Sequence, residues 1–190
     1  MAPRLRRRDF ELNSRHGVGV DWPLSYVDLR PWYARAERAL GVAGAADAPE
    51  GPPREEPYPM PPFPPSASDR ILAEGAEQVG VATYTAPNAR NSKESEDAPA
   101  CAGYGTCRPV CPSGAKYTAE RTVTEAEAAG ARVVDRAAVR RLHHNGDQLT
   151  GARYTTPTGE HVQEARHIVL AAGGVENARL LLLSRSDAFH

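Results

Sequence analysis

The chain has 190 residues, 41% of them hydrophobic and 25% charged, with a formal net charge of −1. This is ordinary for a soluble protein large enough to build a core, and a near-neutral balance excludes a nucleic-acid binder, whose surface needs a basic excess. No apolar run reaches the length of a membrane span. The basic run Arg4, Arg6, Arg7, Arg8 has no apolar segment after it, so no secretory leader and no membrane span are expected, and the expected compartment is the cytoplasm.

Residues 1–20 suggest extended pieces, with Phe10, Leu12, Val18 and Val20 at strand-like spacing broken by Gly17 and Gly19. In DWPLSYVDLRPWYARAERALGVAG, Ser25 followed by Asp28 predicts a capping-box helix start. A second start is expected at Arg30–Pro31, and Gly41 is a stop. Trp32, Ala36, Ala39 and Leu40 are expected to share the inward face.

Nine prolines fall between Pro49 and Pro65. They exclude helix and central strand and favour extended polyproline backbone. Tyr58, Met60 and Phe63 among them predict a loop packed across a surface; a proline-rich ligand for a signalling domain is the alternative. Ser68 and Asp69 predict a helix start, with an end near Gly80. Residues 81–90 are expected to be extended, 91–114 irregular, and 115–129 helical with Gly130 at the end.

Beyond Gly130 the pattern changes to short strands: ARVVD, AAVRRLHH, LTGARYTT and EHVQEA, with turns at Asn145–Gly146–Asp147 and Pro157–Thr158–Gly159. Asn-Gly between apolar alternations is a strong hairpin signal. Ile168 to Ala172 is a continuous apolar run, as expected of a parallel strand covered on both faces. Gly173–Gly174 is a turn into a helix, whose apolar stretch Leu180 to Leu183 should bury most of its circumference. The expected fold class is α/β, a parallel sheet carrying an antiparallel meander on its crossover. A βα turn of this kind suits a nucleotide at the strand end, or is a plain βα unit without a ligand.

The cysteines are Cys101, Cys107 and Cys111, in CAGYGTCRPVC with Pro112 following. Three readings stand: buried structural thiols; one disulfide with a free thiol, disfavoured in the cytoplasm; or metal ligands for an iron–sulfur cluster, since a Cys-Pro ending and flexible glycines suit a cluster loop. The spacing fits no standard zinc pattern. His143, His144, His161 and His167 sit on or beside predicted strands and His190 ends the chain, so none is assigned a catalytic role.

In order along the chain, GYGTCRPVCPSGAKYTAERT, the strand around AAVRRL, and VLAAGGVENARLLLLS resemble the middle of a glucose–methanol–choline (GMC) oxidoreductase. The flavour is that of the pyranose oxidase and gluconate dehydrogenase branch, and DWPLSYVDLRPWYARAERALGVAG resembles the segment before that family's substrate-binding part. The resemblance implies a Rossmann-like FAD-binding domain and hydride transfer from a sugar or other alcohol to the flavin. It places Val139 at the adenine through its backbone, and Ala172 and Gly173 at the strand end beside the cofactor. The family's Thr-Pro pair is replaced here by Asn177–Ala178. The family's GxGxxG turn and its C-terminal catalytic pair, a His with a second His or Asn, do not occur in these residues. The expectation is an internal fragment: residues 1–100 an irregular and helical part of the substrate region, residues 101–190 the middle of the FAD-binding domain. A non-catalytic remnant, a subunit that needs a complementing chain, or a cysteine-based electron-transfer module are the alternatives.

Overall fold

A computed structural model describes residues 2–48, 51–96 and 98–187. Pro49 and His190 lie outside the described residues. The chain divides into two compact units, Met1–Thr122 and Val123–His190.

The N-terminal unit begins with a 3-10 turn, Arg7–Phe10, and α1, Leu12–His16, where extended pieces were expected. The apolar residues are not alternating outward and inward: Phe10 is buried, its ring edge-on to Trp22 at 5.3 Å, while Val18 and Val20 are exposed. Gly17 ends α1 in the left-handed conformation.

Helix α2, Tyr26–Leu40, starts on the predicted box, with Ser25 Oγ accepting from the Asp28 N–H and the Ser25 N–H donating to the Asp28 carboxylate. Gly41 closes it at φ 61°. Two expectations fail here. Pro31 lies inside one continuous helix rather than starting a second. Pro31 is the sixth residue of the helix, past the first turn, so the bond that an N–H there would make to Val27 O is missing, and the helix continues across the gap. The inward face is also different: Trp32, Ala36 and Ala39 are exposed, and Tyr26, Ala34 and Glu37 are buried. A charged residue takes the inward position because its charge is compensated there, as described below.

After α2, strand β1, Val42–Ala43, pairs antiparallel with β2, Asn88–Ala89. The proline-rich segment meets β1 through Met60, whose N–H donates to Val42 O at 3.3 Å and whose carbonyl accepts from Gly44 N at 3.2 Å. Val42, Ala43 and Met60 are buried. Gly44 has no room for a side chain, since a Cβ would sit 2.7 Å from the Tyr58 ring. Helix α3, Ala67–Gln78, starts two residues earlier than expected: Ser66, not Ser68, accepts from the Asp69 N–H at 3.1 Å. Helix α4, Ala119–Ala128, is shorter than the predicted 115–129 and carries the unit boundary.

In the C-terminal unit, β3 (Ala138–Asn145), β4 (Gln148–Thr156) and β5 (Gly159–Glu164) form an antiparallel meander in the order β3-β4-β5. Both predicted turns are present, with Gly146 at φ 62° and Gly159 at φ 135°. Helix α5, Gly174–Leu183, packs on β3.

The two strands predicted to flank the meander are absent. Residues 131–135 and 168–172 form no ladder, and Val169 is 87% exposed. A strand exists only through hydrogen bonds to a neighbour, and among the described residues no strand runs parallel to either segment. Apolar composition alone cannot supply that neighbour. For the same reason α5 buries one side only: Leu180 is buried, and Leu181, Leu182 and Leu183 are exposed.

Candidate functional site

The glycine turn before α5 is held by one side chain. The Ala172 N–H donates to Asn177 Oδ1 at 3.0 Å, and Asn177 Nδ2 donates to Leu170 O at 3.2 Å. A single amide, one turn into the helix, thereby satisfies both a donor and an acceptor of the incoming chain. Sequence reading noted Asn177 only as a departure from a family pattern. Its Asn is the piece that fixes the turn.

Gly173 is the residue before α5, at φ 89° and ψ 161°. Glycine adopts this conformation at no steric cost. A Cβ at Gly173 or Gly174 would meet nothing within 4 Å, so the backbone there is open to close approach. Ala172 is exposed and its N–H is already committed to Asn177, leaving its carbonyl.

Val139 lies near the start of β3, the edge strand, paired with Tyr154 and half-exposed. An edge strand presents a row of backbone N–H and C=O groups beyond its ladder. Farther along β3, the Leu142 N–H donates to Ser184 Oγ at 2.8 Å, and Ser184 Oγ donates in turn to Leu180 O at 2.7 Å. This joint is at the C-terminal end of α5, about 15 Å along the helix from Gly173. Val139 and Gly173 thus belong to two packed elements, and the bond that joins those elements involves neither residue.

The cysteine loop is tied at both ends to Asn91. The Asn91 N–H donates to Ala115 O and its carbonyl accepts from Cys101 N, both at 2.9 Å. Its buried side chain donates to Ser95 Oγ and Ala98 O. All three thiols are free. Cys107 faces Arg90, whose guanidinium lies 3.8 Å from its sulfur and stacks on Phe63. Cys111 has different partners: the Lys116 N–H, the Ser113 hydroxyl and further backbone amides draw its thiol pKa down to about 7. Among the described residues no three His, Cys, Asp or Glu side chains converge into a group able to hold a metal ion. Cys101, Cys107 and Cys111 as arranged do not fit the iron–sulfur reading, because cluster ligation needs thiolates aimed at one centre.

The histidines are placed by structural contacts. His161 stacks on Tyr154 at 5.4 Å and bonds Thr156 Oγ1 at 3.1 Å. His144 lies on β3 with its Nδ1 3.1 Å from Gly146 O, and His167 is exposed in the segment before α5.

One constellation escaped the sequence reading. Glu37 accepts from Arg4 Nε and Nη2, both at 2.8 Å, and from Arg54 Nη1 and Nη2 at 3.0 and 2.5 Å. Arg4 also donates to the Tyr26 hydroxyl, which donates to Pro53 O at 2.7 Å, and Arg54 stacks on Tyr58. Burial opposes the charge on Glu37, but the bonds from Arg4 and Arg54 outweigh it and hold its carboxyl below the usual range. Burial likewise opposes the Arg4 charge, and the bonds to Glu37 and Tyr26 raise its pKa nonetheless. The partners are 33 and 17 residues from Glu37, so no local pattern marks them.

Among the described residues no helix is long and apolar enough to cross a membrane. Residues 60–187 match the family model described as GMC oxidoreductase. The chain is 34% identical over 183 residues to the fructose dehydrogenase large subunit of Gluconobacter japonicus, covering 94% of this chain and 34% of that protein. It is 31% identical over 187 residues to 2-methyl-1,2-propanediol dehydrogenase of Mycolicibacterium austroafricanum, covering 96% of this chain and 34% of that protein. It is 33% identical over 192 aligned positions to 6'''-hydroxyparomomycin C oxidase of Streptomyces lividus, covering 96% and 35%. The chain spans about a third of the length of these relatives. With two thirds of its residues inside the family model, the chain belongs to the GMC oxidoreductase family.

Proposed function

We propose that this chain is the middle of an FAD-dependent oxidoreductase that takes hydride from a CH–OH group of a sugar or other alcohol. The observation that carries the reading is the alignment of nearly the whole chain with dehydrogenases and oxidases whose names specify a sugar, a diol and an aminoglycoside. In this reading residues 1–100 belong to the substrate region and residues 101–190 to the flavin-binding domain. The pyrophosphate-holding turn and the base come from further polypeptide, joined to this chain or supplied by a partner.

The local geometry is compatible with the cofactor. Val139, a half-exposed residue on an edge strand, can offer its backbone to a flat base. The open, left-handed backbone at Gly173, with Ala172 beside it, admits close approach of a ligand. FAD, when bound, supplies the hydride acceptor. The chain's own part is to hold and orient it.

A complementing role is the second reading, favoured by the unladdered segment 168–172 with Val169 out in solvent. Such a segment becomes a strand once another polypeptide lies beside it.

The test is reconstitution. The chain is co-expressed with polypeptide carrying a GxGxxG turn and the family's catalytic pair from a related dehydrogenase, and the product is examined for flavin absorbance and anaerobic bleaching by a panel of sugars and alcohols. Retained flavin that bleaches with one class of alcohol supports the proposal. An assembly that forms and holds no flavin overturns it. Flavin binding lost in Gly173→Val, with assembly intact, assigns the turn to the cofactor.

A further inference from the structure

The meander carries an electropositive cavity to which none of the chemistry above assigns a role. Arg141 on β3 stands directly opposite Arg153 on β4. Directly opposed residues share a face with their Cβ atoms about 5 Å apart, and like charges so placed are destabilising. His143 is opposite Gly151. A cavity of about 340 Å³ is lined by Arg141, His143, His144, Thr150 and Arg153, with Leu142 between them, and no acidic residue lines it.

The donors are incompletely used. Arg153 Nη1 meets Glu160 at 3.3 Å, but its Nε is buried without a partner. The Arg141 guanidinium and the His143 ring have no side-chain partner among the described residues. A buried unpaired N–H costs stability unless something accepts from it. Two planar guanidinium forks, with a hydroxyl at Thr150, match an oxygen-rich anion better than any neutral ligand.

We propose that this cavity binds a tetrahedral oxyanion, with Arg141 and Arg153 as the charged clamp and Thr150 as a neutral donor. The anion offsets the repulsion of the opposed arginines. The proposal uses neither Val139 nor Gly173, so it stands or falls apart from the flavin reading.

The test is an NMR titration of the full chain, labelled on backbone and arginine side-chain nitrogens, with inorganic phosphate against chloride at matched ionic strength. Saturable shifts at Arg141, His143, Thr150 and Arg153, absent with chloride, are expected. Arg141→Gln, at an exposed position, should keep or raise the melting temperature of the anion-free chain and weaken phosphate binding about tenfold or more, the weight of one charge-assisted bond. Linear shifts equal to those of chloride, or unchanged affinity in Arg141→Gln, overturn the proposal. A second arm adds ADP: displacement of phosphate with the same residues shifting identifies a nucleotide phosphoryl group as the ligand, and phosphate binding indifferent to ADP identifies a free oxyanion.

Discussion

The Leu142 backbone N–H is bonded to Ser184 Oγ across 42 residues of sequence, and both residues are shut off from solvent. This hydroxyl joins the end of α5 to the edge of the meander. In Ser184→Ala the Leu142 N–H stays buried without an acceptor. Such a donor costs about 1–3 kcal/mol. Denaturant titration should show that loss, and hydrogen exchange at the Leu142 amide should speed up more than at the amides paired between β4 and β5. Unchanged exchange at Leu142 would mean that α5 is held by apolar packing alone.

Glu37 is the hinge of stability in the N-terminal unit. Replacing it by Gln leaves two buried guanidiniums facing a neutral group, and breaking a buried ion pair costs about 3–5 kcal/mol. The pH dependence has a definite sign. The Glu37 pKa is lowered in the folded chain, so its contribution is complete above the ordinary glutamate range and is lost as pH falls through the lower folded value. Asp28 and Asp69, hydrogen-bonded at their capping boxes by Ser25 and Ser66, are lowered as well and add in the same direction. Acid should therefore begin to destabilise this unit below the ordinary carboxylate range, about pH 4, and the slope of stability against pH should shrink in Glu37→Gln. A slope that is the same in both proteins would assign acid sensitivity elsewhere.

What the amino-acid pattern reveals is what is decided within a few residues. The Ser25–Asp28 box, the Gly41 stop and the turns at Gly146 and Gly159 depend on neighbours in the chain, and all are where they were expected. The flanking strands at 131–135 and 168–172 were misjudged because a β-ladder is a relationship between segments, and composition describes only one of them. The inward face of α2 was misjudged because Glu37 breaks the apolar rule through Arg4 and Arg54, both remote in sequence. For the site, the glycine turn was visible as Gly173–Gly174, but its clamp by Asn177 was not. An asparagine within a helix carries no signal of which carbonyl it reaches.

Gly151 is the tightest point of the meander. A Cβ there would lie 2.6 Å from Gln163 O on β5, a backbone atom that cannot swing aside. Gly151→Ala must push β4 and β5 apart or break their register. Overpacking of this sort costs about 1–3 kcal/mol. Gly174→Ala is the control, since its Cβ meets open space and its backbone is helical. Thermal melts should separate the two clearly, with the cross-strand contacts of Gly151 to Glu164 lost in the first variant only. Equal melting temperatures would show that β5 gives way without loss.

The three thiols should differ in reactivity, and Cys111 should lead. The nucleophile is the thiolate. At Cys111 the Lys116 N–H and the Ser113 hydroxyl stabilise that anion and bring the pKa to about 7. A lowered thiol pKa means that the reactive form is half-populated near neutrality and lost as pH falls below it. Alkylation by iodoacetamide, followed residue by residue with mass spectrometry, should therefore show Cys111 modified first at neutral pH, with a rate that halves near pH 7 on the acid side. Ser113→Ala removes the hydroxyl 3.6 Å from the sulfur and should move that midpoint upward. A midpoint that stays in place in Ser113→Ala would leave the backbone amides as the whole cause, and a Cys111 no faster than Cys101 would refute the anion-stabilising role of the loop.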